Sequence, residues 1–250
     1  MSTVKVGLVG TGHMGQYHVN IASGLPEYEV TGIYDADPTR ATEIAERFGV
    51  PPVTSYDDLV DRSEAIVIAV PTVLHYEMAL KALQAGRHVL VEKPMTETVA
   101  QARELVELAE SRGLTFQVGH VERFNGAVLE LNKIVDQPLL VEARRLAPCN
   151  PRSSDVGVVL DLMIHDIDII LNMVNKEVIS VHGRGNRELS DHEDVAVATI
   201  LFEGGCIANL IASRATQTKI RRLNITQENA YIVLDFATQD IDIHRQASSA

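Results

Sequence analysis

The sequence predicts an α/β protein: a doubly wound parallel sheet, followed by an α+β domain with a mostly antiparallel, open sheet. Three observations carry this. Apolar strand-like runs alternate with helical segments through the first 120 residues. The rhythm then changes to strand-rich sequence. Hydrophobic residues make up 46% and charged residues 22% of the 250, ordinary proportions for a folded globular chain. The boundary is drawn between 1–120 and 121–250, and each part is long enough to bury a core. With aromatics at 4% and no Trp, those cores must rest on Val, Ile, Leu and Ala.

In order, residues 4–9 read as a buried strand running into Gly10-Thr11-Gly12-His13-Met14-Gly15, and a helix opens over 13–23. A second strand covers 29–34. Asp37-Pro38 has the N-cap and N1 chemistry of a helix start, and Gly49 suits its C-terminal cap. Residues 65–70 are a third strand; a shorter one near 52–54 is left open. A helix over 74–85 ends at Gly86, and a strand follows over 88–91. Thr96 is read as the cap of a helix reaching Arg112, and 115–119 is one more strand.

Beyond residue 120, a helix over 124–135 precedes a strand over 139–147 and a Pro/Ser/Asn loop over 148–155. A very apolar helix covers 157–174. Strands are expected at 178–188, 195–202, 206–214, 220–226 and 230–236, with Gly204-Gly205 as a hairpin turn.

The net charge of −12, with a pI of about 5.2, disfavours nucleic acid and anionic lipid as partners. Cys149 and Cys206 form no Cys-x-x-Cys pair, so neither a zinc knuckle nor a redox dithiol is indicated. No apolar run approaches the roughly 18 residues of a membrane span. The strand beginning at Val4 leaves no room for a signal peptide, and a cytoplasmic protein is expected.

Gly-x-Gly-x-x-Gly alone fits many tight turns. Here it follows a strand and opens a helix, so backbone N–H groups at a helix N-terminus can meet a pyrophosphate. Asp35 lies at the end of the second strand. A carboxylate there can accept hydrogen bonds from both ribose hydroxyls and repels a 2′-phosphate, and no Arg follows at once. The expected cofactor is NAD, held by Gly10, Thr11, Gly12, His13, Met14, Gly15 and Asp35. The plainer alternative is that Asp35 starts the turn into the next helix.

Glu92-Lys93-Pro94 puts a lysine at the carboxyl end of a parallel strand, the edge where open α/β sheets bind ligands. Such a lysine can stabilise negative charge on a substrate oxygen, or it can be a solvated loop residue. On the apolar helix over 157–174, Asp161, His165, Asp168 and Asn172 recur four, three and four residues apart and form one polar stripe. Burying them is costly unless they are paired or used, so the stripe is expected to face a wet cleft. Alternatively, Asp168 meets an Arg and His165 is a core histidine. A metal held by Asp161, His165 and Asp168 is disfavoured because no other ligand cluster supports it. A histidine oriented by a neighbouring carboxylate is a good general base for an alcohol.

Gly10 to Gly15, Glu92-Lys93-Pro94 and Asp161-Leu162-Met163-Ile164-His165 together resemble the glucose–fructose oxidoreductase/inositol dehydrogenase/MocA (Gfo/Idh/MocA) family over essentially the whole chain. The resemblance implies a Rossmann domain plus an α+β domain whose open sheet often mediates dimers or tetramers. It implies that Lys93, Asp161 and His165 surround the nicotinamide, with Pro71, Thr72, His75 and Glu92 also on the cofactor side. His75 could equally be a surface residue. Within the family, the segments from Gly119 to Asn125 and from Asp155 to Asp168 resemble those of UDP-N-acetylglucosamine 3-dehydrogenases. Two departures stand out: Asn125-Gly126 replaces a frequent Asn-Pro, and the chain is shorter than family members usually are.

The second part of the chain holds 13 of the 22 Lys and Arg residues, which suits a diphosphate substrate. Arg123, Arg144, Arg145 and Arg152 are candidates for its phosphates, unless they are solvated surface groups. Neighbours on a strand face opposite sides, so Arg144 and Arg145 cannot share a cleft, and Arg144 is assigned to substrate with Arg123 and Asn125. The expected function is an NAD-dependent sugar dehydrogenase, with His165 removing the hydroxyl proton, Lys93 stabilising the alkoxide and Asp161 orienting both His165 and the sugar. Alternatives are another polyol as substrate, a nonenzymatic NAD-sensing relative, and a structural subunit.

Overall fold

The computed structural model describes residues 3–149 and 156–245. The chain divides into two compact units, Met1–Gly119 and His120–Ala250, each with its own sheet and apolar core.

In the first unit, β1 (Val4–Val9), β2 (Tyr28–Tyr34), β3 (Ala65–Ile68), β4 (His88–Glu92) and β5 (Phe116–Gly119) form a parallel sheet in the order β2-β1-β3-β4-β5. The strand left open near 52–54 is reduced to one bridge: Ile33 N–H donates to Pro51 O at 2.9 Å and Val53 N–H to Ile33 O at 2.8 Å. Pro51 and Pro52 have no N–H to extend that ladder. Counting the remnant, the order is that of the Rossmann fold, with its reversal beside β1.

Helices α1 (His13–Gly24), α2 (Pro38–Phe48), α3 (Tyr56–Arg62), α4 (His75–Gln84) and α5 (Val99–Ser111) complete the unit. Asp37 caps α2 and Gly49, at φ +67°, closes it, as the Asp-Pro and Gly chemistry predicts. Thr98, not Thr96, caps α5, in a reciprocal box with Gln101; the Thr96 hydroxyl donates to Thr98 O at 2.8 Å. Helix α3 was not anticipated. It buries Tyr56, Leu59 and Val60.

The second unit holds β6 (Leu140–Leu146), β7 (Val178–Asn186), β8 (Val195–Phe202), β9 (Ile207–Ser213), β10 (Ile220–Gln227), β11 (Ala230–Asp235) and β12 (Asp240–Arg245), ordered β12-β11-β10-β6-β9-β8-β7. All neighbours are antiparallel except β6 and β9. Gly204 and Gly205 both take positive φ in the β8–β9 turn. Helix α6 (Gly126–Ile134) follows a tight turn, Val121–Phe124. Helix α7 (Ile164–Val174) continues a wider π turn, Val159–Met163. Ile169, Ile170 and Val174 of α7 join Val141, Ala143, Leu210 and Leu223 in one core, so alternate strand residues face α7 and the rest face away. Cys206 is buried and Cys149 exposed. Among the described residues, no helix is long and apolar enough to cross a membrane.

Candidate active site

The glycine loop leaves β1 with Gly10 at φ +87°. A Cβ at Gly10 would collide with the Ala69 carbonyl, and one at Gly15 with the Gly10 carbonyl; one at Gly12 would meet nothing within 4 Å. Two glycines are therefore needed for packing, and the third keeps an approach open. Gly12 is the N-cap of α1 and gives it no side-chain cap, leaving the first-turn N–H groups to an incoming acceptor. His13 is exposed and meets the Tyr17 ring edge-on, while Met14 is half-buried.

Asp35 is buried. Its Oδ2 accepts from the Thr11 N–H and hydroxyl, both at 2.7 Å, and its Oδ1 from Asp37 N–H at 2.9 Å and Arg40 Nη2 at 2.7 Å. Burial pushes the carboxyl up, but the hydrogen bonds from Arg40, Asp37 and Thr11 outweigh it and bring its pKa down to about 2. Arg40 is the donor the sequence reading passed over. The turn into α2 returns it to Asp35 from five residues away, and a ribose diol binding here has to share the carboxylate with that guanidinium.

Lys93 follows β4 and is half-buried, and the Lys93–Pro94 peptide is cis. Glu92 is buried, with Oε1 2.7 Å from His18 Nε2. Pro71 is exposed, and Thr72 is buried in the turn Thr72–Leu74. His75 is a buried residue, not a surface one: Nδ1 lies 2.7 Å from Pro94 O and Nε2 2.9 Å from Val70 O. Both ring nitrogens are engaged by the backbone.

In the second unit, Asp161 lies in the π turn and His165 one turn on, in α7; both are half-buried. The stripe does not continue as one wet face. Asp168 is buried and takes both arms of the Arg123 guanidinium, with Nε 2.6 Å from Oδ2. His120 Nε2 is 3.8 Å from the same carboxylate. Asn172 is exposed. Arg123 is thus occupied by Asp168, the plainer alternative for that residue. Asn125 caps α6 through its Oδ1, 3.0 Å from Ala127 N–H, so Asn125-Gly126 makes a firm helix start without a proline.

Arg144 and Arg145 face opposite sides, as the strand requires. Arg144, expected to contact substrate, is exposed on the sheet face away from α7. Arg145 is buried against Asp166 and Glu122, with its guanidinium 5.1 Å from the Phe236 ring centre. Arg152 lies outside the described residues. The arginine on the α7 side that sequence reasoning missed is Arg221. It is paired with Arg145 across β10 and β6, with Nη1 3.7 Å from Glu122. Burial and the Arg145 charge lower its pKa against the pull of Glu122, Asp166 and Asp161. Asp161 is therefore within electrostatic reach of it. Among the described residues, no group of three or more His, Cys, Asp and Glu could hold a metal ion.

Residues 4–120 match the profile of the Gfo/Idh/MocA oxidoreductase family, NAD-binding Rossmann fold, and residues 125–233 match its C-terminal domain. The chain belongs to the Gfo/Idh/MocA family. It is an NAD-dependent oxidoreductase. The loop geometry agrees: Gly12 leaves the helix end open, and Asp35 is held ionised beside it. The chain is 33% identical over 249 residues to the UDP-N-acetylglucosamine 3-dehydrogenase of Acidithiobacillus ferrooxidans, covering 99% of this chain and 79% of that one. A solved structure of that enzyme superposes with a TM-score of 0.92 at 34% identity, over 98% of this chain and 81% of the other. The inositol 2-dehydrogenase of Rubrobacter xylanophilus is also 33% identical, over 73% of this chain but 55% of its own length.

Proposed function

We propose that this chain oxidises the C3 hydroxyl of UDP-N-acetylglucosamine to the 3-keto sugar. The observation that carries the proposal is its 33% identity, over nearly its whole length, to an enzyme named for that reaction. Bound NAD supplies the acceptor for the hydride that leaves the carbinol carbon. The His165 imidazole takes the hydroxyl proton as that hydride departs. The Lys93 ammonium donates a hydrogen bond to the forming alkoxide oxygen and favours its negative charge. The Asp161 carboxylate orients the imidazole and accepts from the sugar. Arg221 takes the place of Arg144 as the candidate donor to substrate oxygens. In the first unit, the α1 N-terminus receives the pyrophosphate, and Asp35 selects against a 2′-phosphate.

The same reading gives the sheet face away from α7, where Val197, Ile207 and Tyr231 are exposed, to pairing with a second copy; sedimentation of the purified chain tests it. A second reading, an inositol-type polyol as substrate, is favoured by the resemblance to the inositol 2-dehydrogenase. Reduced-nicotinamide absorbance with UDP-N-acetylglucosamine, UDP-glucose, myo-inositol and free sugars separates the two. Turnover confined to myo-inositol overturns the nucleotide-sugar proposal.

A further inference from the structure

We propose that His18 and His75 are positioning residues that hold the Lys93 segment from both sides. The inference rests on the reading of Lys93 as the alkoxide-stabilising group. The residue before Lys93 is tied to α1: His18 Nε2 lies 2.7 Å from Glu92 Oε1, and the other Glu92 oxygen accepts from the Lys93 N–H at 3.3 Å. The residue after Lys93 is tied to the segment that follows β3: His75 Nδ1 lies 2.7 Å from Pro94 O, and Nε2 2.9 Å from Val70 O.

The surroundings fix both anchors. Glu92 is boxed in by β5, where a Cβ at Gly119 would stand 3.1 Å from its carboxyl carbon. His75 is 1% exposed, and each of its two nitrogens faces a backbone carbonyl. A singly protonated ring donates to one of its two carbonyls at a time. A lysine carries its charge on a flexible four-carbon stem, so the reach of the ammonium group depends on where the backbone starts it. Two histidines from separate elements fix that start, one through a carboxylate and one through a carbonyl. His75 thereby moves from the cofactor contacts to the scaffold of Lys93.

The test uses the full chain with His18→Leu, His18→Gln, His75→Leu and His75→Asn. The glutamine amide can replace Nε2 of His18, and the asparagine amide Nδ1 of His75. Amide hydrogen exchange over residues 90–96 is measured without substrate, NADH affinity by fluorescence, and kcat and KM with whichever sugar is turned over. The leucine variants are expected to exchange about fivefold faster over that segment, the factor that one net hydrogen bond gives. Their kcat is expected to fall about 10- to 100-fold, the effect of a small misplacement, with NADH affinity unchanged. The amide variants recover most of the loss. Unchanged exchange in both leucine variants overturns the proposal. So does a joint fall of kcat, NADH affinity and thermal midpoint that the amides do not rescue. A wild-type chain that oxidises no sugar refutes the functional reading instead, and hydrogen exchange still decides on the clamp.

Discussion

The Arg145 guanidinium and the Asp166 carboxylate meet almost out of reach of water, with Nη2 2.7 Å from Oδ1 and Nε 3.1 Å from both carboxylate oxygens. Burial pushes the Asp166 carboxyl up, against the pull of Arg145. Removing one partner leaves the other charge buried. Asp166→Ala or Arg145→Ala is expected to cost about 3–5 kcal/mol in urea unfolding, whereas Arg145→Met with Asp166→Leu loses far less. A single alanine variant as stable as wild type contradicts this.

Gly12 and Gly15 separate binding from folding. Gly15→Ala drives a Cβ into the Gly10 carbonyl, so both the thermal midpoint and NADH affinity are expected to fall. Gly12→Ala meets open space, so the midpoint holds while NADH binding weakens by tenfold or more, about 1.4 kcal/mol. Equal midpoints in the two variants are the contrary result.

Asp35 carries a pH signature. Its folded pKa of about 2 lies below its ordinary 3.8, so the carboxylate stabilises the fold above the ordinary value, and that contribution is lost as pH falls toward the folded one. The stability gap between wild type and Asp35→Asn is expected to be full at neutrality and to close between about pH 4 and pH 2. Urea midpoints across that range check it. A gap that stays constant to the acid limit rules out the carboxylate charge as its source.

His165→Ala and Lys93→Ala are each expected to lower kcat by about 10²–10⁴ while NADH still binds. Fluorescence titration and turnover on the same preparations check both halves of that statement. Near-wild-type turnover removes the role assigned to that residue.

The parallel sheet of the first unit was legible because buried parallel strands read as apolar runs, and its helices carry Asp, Pro and Gly at their ends. Helix α3 was missed because its seven residues include four charged ones and bury only one side. Strand β12 was missed because its sequence, Asp-Ile-Asp-Ile-His-Arg, alternates with charge at a sheet edge, which looks like loop until its partner is known. Around the site, the spacing of Asp161 and His165 could be read along one helix. Spacing along α7 could not tell which arginine Asp168 would meet, nor that Asp166, off the stripe, would be the more buried acid. His18, Arg40 and Arg221 left no local signal, because each is defined by a partner distant in the fold or across a turn.

The contrast between the two cysteines has a practical use. Burial raises the Cys206 thiol and shields it, while Cys149 stands in solvent just past β6. A maleimide dye applied to the native protein should therefore attach at a single place without any engineering. It would give an optical reporter twelve residues before Asp161, with which the binding of the sugars in the substrate panel can be followed in real time.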